Sequence, residues 1–236
     1  MASAFGRALL DHHREERSGP LIQRDGEATL EHPIEEFYFG EFDGTGDPGA
    51  WFDEHLSGPL VDLGAGAGRH ALYFQEHFET VAVEPDPALV ELMTERGVAD
   101  AREGDMFALR NSFGRDRFAS ALAEGTQLGL AGSMDGLRAF LSDLAHVTTP
   151  DATAMLDCYD PTVDSCADLL GYRDDPAPGL ASRVMYFEYG DRTDDVLLFR
   201  LFSPDRLREA AVGTDWTVRE VRGDDDGSHY IARLGK

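Results

Sequence analysis

A glycine-rich turn between a short apolar segment and a helical segment constrains the fold more than any other feature of this chain. It comprises Leu60-Val-Asp-Leu-Gly-Ala-Gly-Ala-Gly-Arg-His70, with glycines at positions 64, 66 and 68. Glycine has no Cβ atom, so the backbone can turn sharply there and a ligand can approach it closely. The run therefore predicts a strand that passes directly into a helix beside a small-molecule site.

Segments of strand and helix character alternate from this turn onward. The predicted strands are 60–63, 80–83, 98–103, 117–123 and 152–158, and the predicted helices are 69–77, 87–96 and 133–147. Such an alternation is typical of an α/β fold with a parallel, doubly wound sheet that carries helices on both faces.

The pattern changes after residue 159. A stretch rich in Asp, Pro and Gly extends to about residue 181, and the β-rich runs 184–189 and 196–202 suggest a hairpin. Ser203-Pro204 opens a further helix, to about residue 212. The last two strands, 214–221 and 228–234, are joined by the acidic turn 223–227, so we expect them to be antiparallel.

The first fifty residues precede this core. Residues 2–17 have the pattern of a helix with an Ala/Leu face, and the following stretch contains Tyr38, Phe39 and Trp51. We expect an N-terminal helical lid over residues 1–50. The remaining residues, 51–236, then form one domain with an insertion at about 159–202.

Acidic residues follow the predicted strands at informative positions. Glu84 comes twenty residues after Gly64 (84 − 64 = 20), the spacing of a carboxylate that binds ribose hydroxyls. Asp62 stands at the mouth of the glycine turn, where a pyrophosphate would be repelled. The glycines follow G-x-G-x-G, without the lysine of a phosphate-binding loop. These features favour a ligand that carries positive charge.

Three segments resemble class I S-adenosylmethionine (SAM)-dependent methyltransferases. The run 61–68 resembles their motif I, 83–86 the acidic end of their second strand, and 104–107 their adenine-contacting segment. The resemblance covers roughly residues 55–160 and 200–236. It implies a seven-stranded sheet in the order 3-2-1-4-5-7-6 with the last strand antiparallel, SAM as cofactor, S-adenosylhomocysteine (SAH) as product and no metal. The implied cofactor residues are Asp62, Gly64, Ala65, Gly66, Gly68, Glu84, Pro85, Asp105, Met106 and Glu124.

The segment after the fourth strand faces the methyl acceptor in this family. Here it is Ala123-Glu-Gly-Thr-Gln127, without the Asn-Pro-Pro-Tyr or Pro-Cys patterns that specify some acceptor atoms. Glu124 is a candidate catalytic base; the alternative is a polar strand end. The candidate acceptor-contacting residues are Tyr38, Phe39, Thr126, Gln127 and Tyr186. The aromatic ones have an alternative role in packing against the sheet, and His70 and His229 are interpreted as structural.

The chain is strongly acidic. It has 45 acidic and 21 basic residues, a formal net charge of −24, and its only lysine is Lys236. Because the acids are spread along the chain, we favour adaptation to a salt-rich cytoplasm over a functional acidic patch. The absence of a basic stripe argues against a nucleic-acid partner. Cys158 and Cys166 match no zinc motif, and the chain has neither a signal-peptide pattern nor an apolar run of about 20 residues.

The expected function is therefore methyl transfer from SAM to a small molecule. The alternatives are an RNA or protein methyltransferase and a non-catalytic SAM-binding protein. A dinucleotide-dependent oxidoreductase is disfavoured, since it would need G-x-G-x-x-G and a hydride-transfer acid or base.

Overall fold

The computed structural model describes residues 2–224 and 226–236. Met1 and Asp225, the latter within the predicted acidic turn, lie outside the described residues. The helices are α1 (Ala4–His13), α2 (Gly49–His55), α3 (Arg69–Phe74), α4 (Pro87–Arg96), α5 (Leu109–Ser112), α6 (Met134–Val147) and α7 (Pro204–Ala211). The strands are β1 (Ile22–Asp25), β2 (Ala28–Glu31), β3 (Leu60–Leu63), β4 (Thr80–Glu84), β5 (Ala101–Glu103), β6 (Phe118–Ala123), β7 (Thr148–Tyr159), β8 (Tyr172–Asp174), β9 (Leu180–Tyr189), β10 (Arg192–Thr193), β11 (Leu197–Phe202), β12 (Thr217–Gly223) and β13 (His229–Gly235).

A seven-stranded sheet forms the centre of the molecule, in the order β12-β13-β7-β6-β3-β4-β5. Strand β3 pairs in parallel with β4 and β6, and β13 runs antiparallel to its neighbour β7. Numbered along the chain within this sheet, the order is 3-2-1-4-5-7-6. The predicted fold class and the reversed last strand are confirmed.

The local sequence accounts for these elements. All five residues of β4, Thr-Val-Ala-Val-Glu, are buried, as expected for a central strand of a parallel sheet with helices on both faces. Ser133 caps α6, where its Oγ accepts a hydrogen bond from the Gly136 N–H at 3.0 Å. Helix α6 then buries Leu137, Leu141 and Leu144 on one face.

A second sheet, in the order β10-β9-β1-β2, joins the two additions to the core. Strands β9 and β11 form the predicted hairpin, and β1 adds to the other edge of β9 in antiparallel pairing. The N-terminal segment is not helical throughout, contrary to expectation: α1 ends at His13, and residues 22–31 form a hairpin. A two-residue Gly26-Glu27 turn, with Gly26 at φ +58°, connects its strands.

Helix α1 attaches this lid to the core. Its residues Ala8 and Leu9 are fully buried in an apolar cluster that includes Leu89 of α4 and Phe187 of β9. The backbone N–H of Ser3 donates to the Asp86 carboxylate at 3.1 Å, which fixes the start of α1 against the start of α4. The lid and the glycine turn are therefore held in one arrangement.

Within the described residues, every helix is too short or too polar to cross a membrane.

The acidic surface leads us to expect a fold that depends on salt. Arg14 bridges Glu91 and Glu95, but with 45 acids against 21 bases most carboxylates have no cation to pair with. Screening this repulsion should raise the melting temperature steadily as KCl is increased towards molar concentrations, where the Debye length is about 3 Å. Differential scanning calorimetry from 0.1 to 3 M KCl measures the effect. A flat or falling melting temperature would contradict salt adaptation.

Candidate functional site

The glycine turn begins where β3 ends. Gly64, Gly66 and Gly68 have φ values of +66°, +58° and +77°, a region that favours glycine. The Gly64 N–H donates to the Val83 carbonyl at 2.9 Å, which ties the turn to β4. A Cβ atom on Gly64 would lie 2.5 Å from the side chain of Gln127, so this predicted acceptor residue packs directly on the turn.

Glu84 is the last residue of β4 and points at the turn. Its side chain is buried, with 8% of the residue exposed, and its Oε2 accepts from the Gly66 N–H at 3.4 Å. Burial raises the pKa of Glu84 to about 8, although the Gly66 hydrogen bond opposes the shift. The predicted ribose-binding carboxyl therefore lies beside the middle of the glycine turn.

Asp62 lies beneath the same turn, within β3. It is 3% exposed, and its Oδ2 has no hydrogen-bond partner among the described residues. Burial raises the pKa of Asp62 to about 7, and the negative charge of Glu124 adds to the shift. A buried carboxyl oxygen without a partner is costly, which indicates that a donor or a cation completes this site.

Glu124 follows β6 and is the third acid of the group. Burial raises its pKa to about 7, and the negative charge of Asp157 contributes. Its Oε2 lies 3.6 Å from Nε2 of His70. Burial, together with the charge of Arg69, lowers the pKa of His70 to about 3, so this imidazole is neutral and the contact is not an ion pair.

Asp157 organises the segment that follows β6, and sequence reasoning missed it. Its carboxylate is 1% exposed and accepts hydrogen bonds from the N–H groups of Gly125 at 3.0 Å and Thr126 at 2.8 Å. Thr126 has φ +62°, which is unusual for a residue with a Cβ atom. Asp157 thus holds the predicted acceptor-facing residues in a conformation they would not otherwise favour.

His229 completes this arrangement. Its Nε2 lies 2.7 Å from Asp157 Oδ2. Burial acts to lower the pKa of His229, but the hydrogen bond and the charge of Asp157 outweigh it and the pKa is raised. Antiparallel pairing sets His229 opposite Tyr159, at the edge of the sheet that Glu124 also occupies.

The lid meets this edge of the sheet. Tyr38 packs over the turn, with its ring 3.6 Å from where a Cβ of Gly66 would lie, and its hydroxyl is 2.8 Å from His32 Nε2. The rings of Phe5 and Phe187, one from each addition, are 4.9 Å apart. The two additions therefore come together above the glycine turn.

Three aromatic residues lie elsewhere. Phe39 packs on His12 and under the Arg96 guanidinium. It lines a groove of about 440 Å³ on the outer side of α3, and neither Glu124 nor Gln127 lines that groove. Tyr186 occupies the face of β9 opposite to Phe187, because strand residues alternate. Trp51 is a core residue that packs with its α2 neighbour Phe52.

The residues predicted at the adenine end follow β4 and β5. The Gly104 N–H donates to the Glu84 carbonyl at 3.1 Å, which brings the two strand ends together. Asp105 is exposed and accepts from the Phe107 N–H at 2.8 Å, so it caps a short turn. Met106 is buried and Pro85 is exposed. Their role in holding a cofactor stays a prediction, as does that of Ala65.

No family model and no curated protein matches this chain. A search of solved structures finds a SAM-dependent methyltransferase from Bacteroides fragilis in complex with SAH, 22% identical, with a TM-score of 0.77 over 98% of this chain and 94% of that one. This protein has the Rossmann-like methyltransferase fold.

Further solved structures share the methyltransferase fold at lower similarity. The CcbJ methyltransferase from Streptomyces caelestis is 18% identical, with a TM-score of 0.62 over 85% of this chain and 95% of that one. CalS10, an amino pentose methyltransferase from Micromonospora echinaspora, is 18% identical, with a TM-score of 0.54 over 75% and 82%. In the methyltransferase fold described here, Asp62, Glu84, Glu124 and His229 gather at the carboxyl edge of the sheet, where open α/β sheets bind ligands.

Proposed function

We propose that this protein transfers the methyl group of SAM to a small-molecule acceptor, and that His229 takes a proton from the attacking atom of that acceptor. The observation that carries the proposal is the set of three carboxyls around one positive-φ glycine turn: Asp62 and Glu84, which are buried, and Glu124, which is partly buried. A site so rich in acids suits a cationic ligand and repels a pyrophosphate.

The residues present fit SAM. When bound, SAM supplies a methyl group that is already activated on a sulfonium. Asp62, with its unpartnered Oδ2, and Glu124 offer negative charge to the sulfonium and ammonium groups. Glu84 offers its carboxyl to the ribose hydroxyls, and Gly66 lets the backbone approach the ligand.

The lid supports a small acceptor. Tyr38 covers Gly66, and the contact of Phe5 with Phe187 joins the two additions above the turn. A covered site excludes water and aligns a small molecule with the methyl group, whereas a long polymer needs an open surface. Solved structures with the same fold include an amino pentose methyltransferase, and the net charge of −24 argues against a nucleic-acid acceptor.

His229 is the better-placed base, although Glu124 was the candidate from sequence. Proton transfer to a positioned imidazole is efficient near neutral pH, where a histidine titrates. Nε2–H of His229 donates to Asp157 at 2.7 Å, so Nδ1 is the nitrogen that takes the proton, and the Asp157 carboxylate orients the ring and stabilises the imidazolium that forms. Glu124 then remains available to meet the positive charge of the cofactor.

A screen for SAH formation tests the proposed function. Purified protein in molar KCl is incubated with SAM and a panel of small amines, alcohols and carboxylic acids. We expect SAH to form with at least one acceptor and at equal stoichiometry with the methylated product. Methylation of RNA or protein fractions alone would favour a macromolecular methyltransferase. Tight SAM binding without any turnover would indicate a non-catalytic SAM-binding protein.

SAM binding is expected to strengthen with pH. The pKa values of Asp62 and Glu124 are both raised to about 7, so below that pH these carboxyls carry protons and offer no negative charge. Between pH 6 and 7.5 each proton released should lower the dissociation constant by up to about tenfold per pH unit. The sulfonium of SAM has no proton to lose, so it stays charged throughout this range.

Calorimetry in two buffers of different ionisation enthalpy counts the protons released. An Asp62→Asn variant should release fewer protons than the wild type, and the exposed-acid variant Glu103→Gln should release as many. Proton uptake on SAM binding, or a pH-independent affinity, would show that these carboxyls do not meet the cofactor.

A further inference from the structure

Arg183 is a partly buried cation without an anionic partner in the described part of the chain. It lies on β9, on the same face as Met185 and opposite Phe199 of β11. Its Nε donates to the Leu170 carbonyl at 2.8 Å and its Nη2 to Gln23 Oε1 at 2.9 Å, both neutral acceptors.

Three other arginines of this sheet are paired with carboxylates, and a further one, Arg192 of β10, is exposed to water. Arg24 pairs with Glu188, Arg173 with Asp25 and Arg200 with Asp175, at 2.8, 2.8 and 2.6 Å. Among the described residues, no carboxylate oxygen lies within the 4.0 Å that defines an ion pair with Arg183. Arg69 and Arg96 are also partly buried without such a pair, but among the described residues of this sheet Arg183 is the one partly buried arginine that lacks a carboxylate partner.

The surroundings of Arg183 do not compensate its charge. The ionisable groups that act on it are Tyr159, Cys166 and Tyr38, and burial raises the pKa of each of them, so all three are neutral near pH 7. Burial also lowers the pKa of Arg183 itself. An uncompensated charge removed from water is costly unless a ligand supplies its partner.

A chain of side chains connects Arg183 to the glycine turn. Gln23, which accepts from Arg183, donates to His32 Nδ1 at 2.9 Å, and His32 Nε2 is 2.8 Å from the hydroxyl of Tyr38. Tyr38 in turn covers Gly66. Tyr159, which also acts on Arg183, connects it to the proposed base, because the rings of Tyr159 and His229 are 5.4 Å apart.

The two ends of the site therefore differ in charge. Its cofactor end carries the carboxyls of Asp62 and Glu124, and its lid end carries Arg183. Tyr38 lies between the two ends, since its ring covers Gly66 and its hydroxyl is linked through His32 and Gln23 to Arg183.

We propose that Arg183 binds a carboxylate of the methyl acceptor, so that the substrate is a small carboxylic acid that carries its attacking amine or hydroxyl at the other end. This inference rests on the proposed function. Two of the five N–H groups of the guanidinium are used, which leaves donors for a planar carboxylate. One arginine in an acid-rich site suits a monoanion better than a phosphate dianion. Tyr38, Tyr159 and Phe199 provide aromatic surface for the body of the substrate.

Paired ligands test the proposal without knowledge of the natural acceptor. The SAH-loaded protein is titrated in molar KCl with hydroxybenzoates and aminobenzoates, each compared with its own carboxamide. For the wild type we expect the acids to bind roughly 30-fold or more tightly than the amides, the loss typical of an unpaired buried charge. Arg183→Gln should remove this difference, and Arg183→Lys should keep part of it because it retains the charge.

Arg24→Gln is the matched control, because it removes an arginine that is paired with Glu188 from the same sheet. It should preserve the preference for acids. The proposal would be overturned if the wild type bound acids and amides equally or bound no acid at all. It would also be overturned if the preference for acids survived in Arg183→Gln. SAM binding and SAH formation are measured on the same samples. Methylation of carboxamides as readily as of acids would refute the role of Arg183 and leave the proposed function standing, whereas failure to bind SAM would refute the proposed function.

Discussion

Replacing His229 by asparagine is expected to lower kcat by about 10²–10⁴-fold, the usual contribution of a positioned general base. The dissociation constant for SAH should change by less than about twofold, because we place His229 on the acceptor side of the site. His77→Asn is the matched control, since His77 is exposed on the outer side of the molecule. Single-turnover SAH formation measures the effect. An unchanged kcat in a folded His229→Asn protein would return the role of base to Glu124.

The pH dependence of kcat gives a second test, which concerns His229 together with Asp157. The base must be neutral, so activity should fall at low pH as His229 gains a proton, with the midpoint above the ordinary value of 6.5 because its pKa is raised. Asp157→Asn removes the charge that raises this pKa, and the midpoint should move to lower pH. A midpoint that stays in place in Asp157→Asn would show that another group titrates.

Glu84→Ala is expected to weaken SAM and SAH binding at least about tenfold. Hydrogen bonds to a carboxylate contribute roughly 1.5–3 kcal/mol each, and 1.4 kcal/mol corresponds to a factor of ten. Glu103→Gln is the matched control, because Glu103 pairs with Glu84 in the sheet register but is exposed. Calorimetry with SAH measures both variants. An unchanged affinity in Glu84→Ala would show that this carboxyl does not contact the ribose.

The stability of a Glu84→Gln variant separates loss of binding from loss of folding. Because the pKa of Glu84 is raised to about 8, the folded state keeps a proton that the unfolded chain loses above about pH 4.5. Glu84 therefore makes the unliganded protein less stable as the pH rises from about 4.5 to about 8. Glu84→Gln cannot ionise, so its melting temperature at pH 8 should be no lower than that of the wild type.

The sequence predicted the central sheet because its signals are local. The glycine turn, the buried run of β4 and the capped helix α6 each stand out within about fifteen residues. Glu84 was located by its place at the end of a predicted strand and by its spacing from Gly64. Such short-range patterns determine which strands are parallel and where their carboxyl ends meet.

The lid was harder to predict because its structure depends on long-range pairing. All four residues of β2 are exposed, so the strand carries no alternating pattern. Strand β1 pairs with β9 far along the chain. Whether Tyr186 or Phe187 faces the core depends on that register, which a shift of one residue would invert.

The acceptor side of the site was missed for a related reason. Asp157 and His229 are 72 residues apart, and each alone resembles an ordinary polar residue at a strand end. Only the antiparallel pairing of β13 with β7 brings them together. Arg183 was missed because its significance lies in the absence of a partner, which a sequence does not show.

The central claim is that this acid-lined glycine turn holds SAM. Calorimetric titration of the purified protein with SAM, SAH and NAD in molar KCl tests it most directly. The arrangement of Asp62, Glu84 and Glu124 predicts that SAM and SAH bind to a single site and compete with each other. NAD, which brings a pyrophosphate to the same acids, should bind at least about 100-fold more weakly. NAD binding tighter than SAM binding, or no binding of SAM and SAH to the folded protein, would contradict the account.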